Sequence, residues 1–302
     1  MEKQNKYMNK IPVSRLWQRK SKYEYVVLKQ LIEAFPKIQF DFHIVLDQSD
    51  YSDEWTEKID ALPINVTYYT REQMHEYASN YIDGDKFDFK NFIHSYHIVI
   101  GHYLRRVRLF DYMLTYDSYD VIFNDEDLSE VENCLLNKIP FGIIEPLNSG
   151  CDKALYQNLC QIFQTDISKI IAPQNPNFLG INAGFQGVNL RMFDEFLSQS
   201  GFATMMSLFD FSGVYKEDGT EKWGAERTYY DTQEQSFYGL LNQVYSPNFL
   251  VLDPNKYYFH PCWEDTPGYI EKAMESKIVH FTGHAPKAKK LYELLDKKLN
   301  QK

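Results

Sequence analysis

Residues Ile11 to Trp17 (IPVSRLW) mix apolar and polar positions in a way that reads as a first strand. Lys22 to Phe35 places Val26, Val27, Leu31 and Ile32 on one helical face, and Pro36 ends it. Phe40 to Leu46 (FDFHIVL) alternates and then becomes a buried run, followed by a turn-like Asp47 to Asp50. Glu54 to Leu62 suits a short helix and Asn65 to Thr70 a strand. The order β-α-β-α-β predicts a mainly parallel sheet with helices on both faces, a Rossmann-like α/β fold.

Beyond that, residues 71–90 read as a helix and a loop, and Phe92 to Thr115 as one long helix carrying Arg105, Arg106 and Arg108. Asp120 to Asn124 (DVIFN) is a short buried strand, Leu128 to Leu136 a helix and Phe141 to Glu145 a strand. Residues 148–172 are helical in pattern, Asn177 to Leu190 is strand-like with small residues in it, and Arg191 to Gln199 is a helix. Gly201 to Tyr230 is polar, glycine-containing and aromatic, the best candidate for a long functional loop. Gln233 to Val244 is helical, Phe249 to Leu252 and Ile278 to Phe281 are late strands, and a basic helix, Lys287 to Lys302, closes the sequence. With no repeat and no linker, a single domain over 1–302 is expected, its first part to about residue 145 and its second part from 146 on.

Composition narrows the classes. The 302 residues are 44% hydrophobic and 16% aromatic, enough apolar surface to offset the entropy of ordering. The net charge of −10 argues against a nucleic-acid binder or an anionic-membrane binder, both of which usually show a basic excess. The N-terminal MEKQNKYMNK lacks the apolar core of a signal peptide, and no stretch of about 18 apolar residues occurs. The four cysteines form no CxxC pair. A cytoplasmic location with reduced thiols is expected, with weak contact of the terminal lysines with a membrane surface as a minor alternative.

Asp125-Glu126-Asp127 follows the buried VIFN directly. In an open α/β sheet ligands bind at the carboxyl ends of strands, and carboxylates at i and i+2 can share one hard cation. A solvated acidic turn at a helix N-terminus explains the same triplet without any ligand. His94, His97 and His102 suggest zinc, but HExxH is absent and no cysteine assists, so structural or surface roles are expected.

The segment Asp120-Val-Ile-Phe-Asn-Asp125-Glu-Asp127 resembles the DxD strand of GT-A fold nucleotide-sugar glycosyltransferases. Ile181-Asn182-Ala183-Gly184-Phe185, Glu234-Gln235 and His280-Phe281-Thr282-Gly283 resemble, in order, three later motifs of the glycogenin-like glycosyltransferase family 8. The resemblance implies a GT-A fold with a mixed, mainly parallel sheet flanked by helices. It also implies Mn²⁺ or Mg²⁺ on Asp125, Asp127 and His280, holding the diphosphate of a nucleoside-diphosphate sugar, with uridine as the base. Asn182, Ala183 and Gly184 would lie beside the donor sugar, and Arg108, Gly283 and Lys287 would contact the donor. Lys287 stands one residue later than the family's spacing.

Glu234 and Gln235 would face donor and acceptor. An inverting reaction needs a carboxylate base, for which Asp231 or Glu234 would serve. Trp223, Tyr229 and Tyr230 could stack on an acceptor sugar or equally pack their own loop. The implied activity is sugar transfer to a hydroxyl of a glycan or glycosylated acceptor. The alternatives are a non-catalytic protein that binds a sugar nucleotide or glycan, and a sugar nucleotidyltransferase. The latter wants a glycine-rich loop after the first strand, where 14–25 contains no glycine. The oligomeric state is open.

Overall fold

Strands β1 (Lys10–Lys20) and β2 (Gln39–Tyr51) run parallel, with Ile11 opposite Phe40 and Val13 opposite Phe42. Helix α1 (Lys22–Ala34) makes the crossover and buries Val26, Leu28 and Leu31 against the sheet. These elements belong to a computed structural model that describes residues 10–20, 22–51, 53–80, 92–116, 121–124, 127–146, 179–181, 184–194, 242–243, 245–257, 275–280 and 293. The turn expected at Asp47 to Asp50 is strand instead. The reason is that β1 continues to Lys20 and offers its edge, with Arg19 opposite Asp50.

Helix α2 (Asp53–Asp60) leads to β3 (Asn65–Thr70), which lies parallel to β2. Helix α3 (Arg71–Ser79) starts at once because Thr70 builds a capping box. Its hydroxyl accepts from the Gln73 N–H at 3.1 Å, and the Gln73 side chain accepts from the Thr70 N–H at 2.9 Å.

The long helix expected over Phe92 to Thr115 is divided in two. Helix α4 covers Phe92–Arg106, and Tyr112–Tyr116 forms β4, parallel to β1 on the side away from β2. Leu109, at φ 59°, makes the break. All five residues of β4 are buried. A strand covered on both faces shows no alternation, so its apolar run reads as a continuation of the helix.

The remaining elements are β5 (Val121–Phe123), α5 (Ser129–Leu136), β6 (Phe141–Pro146), β7 (Leu179–Ile181), β8 (Phe185–Asn189), β9 (Leu250–Leu252), α6 (Pro254–Tyr257) and β10 (Ile278–His280). The single strand expected over Asn177 to Leu190 is therefore two strands, β7 and β8. The main sheet has the order β3-β2-β1-β4-β8-β6-β7, with β9 beside β6. Strands β1 to β4 are mutually parallel, β8 is antiparallel to β4 and β6, and β9 is parallel to β6. Strands β5 and β10 form a separate antiparallel pair.

One face of the sheet carries the main core. Phe35, Tyr116, Phe123, Phe185 and Phe141 form a chain of ring contacts with centroids 5.4–5.9 Å apart. This chain ties the β5–β10 pair to the centre of the sheet. On the other face, the register aligns buried His43, Ser14, Thr115 and Gln186 across β2, β1, β4 and β8. Helix α4 covers part of that row, with His97 Nδ1 2.7 Å from Ser14 Oγ. His102 is likewise buried, with Nδ1 2.7 Å from the Tyr77 hydroxyl. Among the described residues no helix is long and apolar enough to cross a membrane.

Candidate functional site

The chain runs outward from β1 to β2 and β3, then returns to place β4 on the other flank of β1. A reversal of this kind opens a crevice at the carboxyl ends of the two central strands, the usual ligand position in an open α/β sheet. Here it lies between β1 and β4, beyond the Ser14–Thr115 pair. Tyr116 is the last residue of β4, and Asp117-Ser118-Tyr119-Asp120, which follow it in the sequence, lie outside the described residues. Strand β8 begins at the same end, with Phe185 opposite Tyr116. Buried Gly184, which precedes β8, is therefore one residue from the position opposite the end of β4.

The β5–β10 register adds the third component. Ile278 lies opposite Phe123, Val279 opposite Ile122 and His280 opposite Val121. Directly opposed residues have Cα atoms about 5 Å apart. Val121 follows Asp120 in the chain, so His280 is set against the residue next to Asp120.

The other end of the pair lies near Asp127. The Asn124 N–H donates to the Lys277 carbonyl at 2.9 Å, which puts Lys277 at the Asp127 end of the pair. Lys277 and His280 are three residues apart on an extended segment, about 10 Å. Asp127 is 70% exposed on its side chain, and Lys277 Nζ donates to its carboxylate at 3.1 Å and to its carbonyl at 2.7 Å. The Ser129 hydroxyl donates to the other carboxylate oxygen at 2.7 Å. The Ser129 and Lys277 hydrogen bonds hold the Asp127 carboxyl below the usual carboxylate range. Asp127 is thus engaged by Ser129 and Lys277 at the start of α5.

A donor contact is expected of Arg108. Arg108 lies in the turn before β4, at the amino end of the strand, while the crevice is at the carboxyl end. Its positive charge acts on Asp41 and His43 near the amino ends of the neighbouring strands. Asp125, Asn182, Ala183, Trp223, Tyr229, Tyr230, Asp231, Glu234, Gln235, Gly283 and Lys287 lie outside the described residues, as does the side chain of His280. Among the described residues no group of three metal-ligating side chains occurs.

Two features were missed in the sequence. Asp117 and Asp120 follow the fully buried strand β4 in the sequence, and the signal for them was that strand running straight into an acidic residue. Gln186 sits on β8 opposite Thr115, fully buried, with neither atom of its carboxamide hydrogen-bonded among the described residues.

No family model matches the chain, and no curated protein matches it in sequence. Solved structures do resemble it. The apo structure of the bifunctional glycosyltransferase WbbM aligns over 92% of this chain and 46% of its own, with a TM-score of 0.51 and 14% identity. The galactosyltransferase LgtC, in complex with donor and acceptor sugar analogs, aligns over 95% of this chain and 96% of its own, with a TM-score of 0.46 and 14% identity. Mouse xyloside xylosyltransferase 1 aligns over 92% and 99%, with a TM-score of 0.46 and 13% identity. Taken with the strand order and the antiparallel β5–β10 pair, the WbbM likeness establishes that this chain has the GT-A glycosyltransferase fold.

Proposed function

We propose that the protein is a metal-dependent glycosyltransferase, a single domain over 1–302, that transfers a sugar from a nucleoside-diphosphate sugar to a hydroxyl of a glycan or glycosylated acceptor. Uridine is the base we favour. The observation that carries this reading is the pairing of His280 with Val121, the residue that follows Asp120 in the sequence. Two carboxylates and an imidazole suit Mn²⁺, and Mg²⁺ next. On this reading Asp117, Asp120 and His280 hold the cation. Asp125 and Asp127 remain the alternative carboxylates.

A bound divalent cation would neutralise the charge that develops on the departing diphosphate. The protein's own part is orientation. The β1–β4 crevice would receive the nucleotide, and the connection from Asn182 to Gly184 would let backbone approach the sugar closely. Gly283 and Lys287, a few residues past His280, would face the diphosphate. Asp231, Glu234 and Gln235 would act on the donor and acceptor side, a carboxylate there serving as base if configuration inverts. Trp223, Tyr229 and Tyr230 would hold the acceptor ring. Holding the anomeric carbon against the hydroxyl converts binding energy into rate. Arg108 has no part in this arrangement.

The test is a panel of nucleotide sugars, each measured for Mn²⁺-dependent thermal stabilisation and slow hydrolysis. At least one uridine-diphosphate sugar should raise Tm only when the metal is present. No response from any nucleotide sugar would overturn the reading.

A further inference from the structure

The turn between α4 and β4 reads Arg105-Arg106-Val107-Arg108-Leu109-Phe110. Val107 is 50% exposed and Leu109 72% exposed, while Phe110 is buried. Leu109 is also held at φ 59°, a left-handed conformation that glycine or asparagine adopts far more readily. A large apolar side chain that is both exposed and backbone-strained serves neither packing nor turn formation. Such a break of a local rule points to function.

The turn is a firm platform. The Val107 N–H donates to the Tyr103 carbonyl at 2.8 Å and the Phe110 N–H to the Leu104 carbonyl at 3.1 Å. Arg105 clamps its base, donating from Nε to Asp194 at 2.8 Å and from a terminal nitrogen to Asp111. Arg191 donates to the second oxygen of Asp111 at 2.9 Å. Four arginines thus meet two aspartates. Arg105 and Arg191 take up both, and Arg106 and Arg108 make no ion pair among the described residues. Arg108 does act on buried Asp41, a charge it shares with Lys10. The tip is therefore apolar and locally basic in a chain of net charge −10. Local sign governs contact at a surface, because charges farther than about 10 Å away are largely screened at 0.1 M salt.

We propose that this turn docks the protein reversibly on an anionic lipid surface, with Val107 and Leu109 entering the headgroup boundary and the exposed Arg106 facing lipid phosphates. Two apolar side chains and one exposed cation suit a weak, salt-sensitive association. The turn stands at the amino end of β4, so docking leaves the β1–β4 crevice pointing away from the bilayer. The proposal does not rest on the activity proposed above.

The test is co-sedimentation of the full chain with phosphatidylcholine vesicles, with and without one quarter phosphatidylglycerol, alongside Leu109→Gly and Arg106→Glu. Wild type should bind the anionic vesicles only and be released at high salt. Leu109→Gly should weaken partition roughly tenfold without lowering Tm, and Arg106→Glu should weaken it as well. The proposal is overturned if anionic vesicles do not bind. It is also overturned if both variants bind like wild type, which would place lipid contact elsewhere, such as the lysine-rich end. A concentration-dependent self-association that Leu109→Gly abolishes, without lipid binding, would make the tip a protein interface instead.

Discussion

Gly187 sits where β8 passes the side chains of Tyr112 and Phe141, and a β-carbon there would meet the Tyr112 hydroxyl and come within 2.7 Å of Phe141 Cδ1. Both neighbours are held in the aromatic core, so neither can yield cheaply. Gly187→Ala should cost about 1–3 kcal/mol by overpacking, read as a lower urea midpoint with unchanged m-value. Asp127 shows the opposite situation, an exposed carboxylate with local partners. Its place directly after VIFN made it the natural choice of metal ligand in the sequence, because a DxD is recognised by spacing alone. Spacing could not reveal that the strand leading to the crevice is β4, not β5. Asp117 and Asp120 are separated by two residues and match no DxD, so only strand order brings them forward. The late strand ending at His280 was legible from its apolar run, while Asn182 and Ala183 lie outside the described residues.

At the scale of elements, α5 ends in a Schellman motif. The Ile139 N–H donates to the Cys134 carbonyl at 2.8 Å and the Lys138 N–H to the Leu135 carbonyl at 3.2 Å. Lys138 occupies the left-handed position at φ 52°, where glycine is normally found. Lys138→Gly should raise stability by about 0.5–1 kcal/mol, seen as an increase in Tm. The first three strands and their helices were legible because each has one clear period and a stop signal, such as Pro36. Strand β4 was not, since burial on both faces removes alternation and the break at Leu109 carries neither glycine nor proline. Strands β7 and β8 ran together in the sequence because both are apolar and rich in small residues.

At the scale of the whole molecule, buried histidines tie stability to pH. Burial, aided by the Arg106 charge, lowers the His102 pKa to about 4 from an ordinary value of 6.5. Burial also depresses His43. Protons then bind the unfolded chain more readily than the folded one. The stabilisation is whole above pH 6.5 and is lost progressively as pH falls toward about 4, up to roughly 3 kcal/mol for His102. Urea midpoints should fall across that window, and His102→Gln should flatten the fall.

The arrangement of strands makes a larger claim, that the crevice between β1 and β4 is where a cation and a nucleoside diphosphate meet the chain. The most direct measurement compares Mn²⁺-dependent binding of uridine diphosphate to wild type, Asp120→Ala and Asp127→Ala by calorimetry, with circular dichroism confirming that each folds. The proposed site predicts metal-dependent binding in wild type and Asp127→Ala, and its loss in Asp120→Ala. Retention in Asp120→Ala with loss in Asp127→Ala would contradict it and return the cation to the far end of β5.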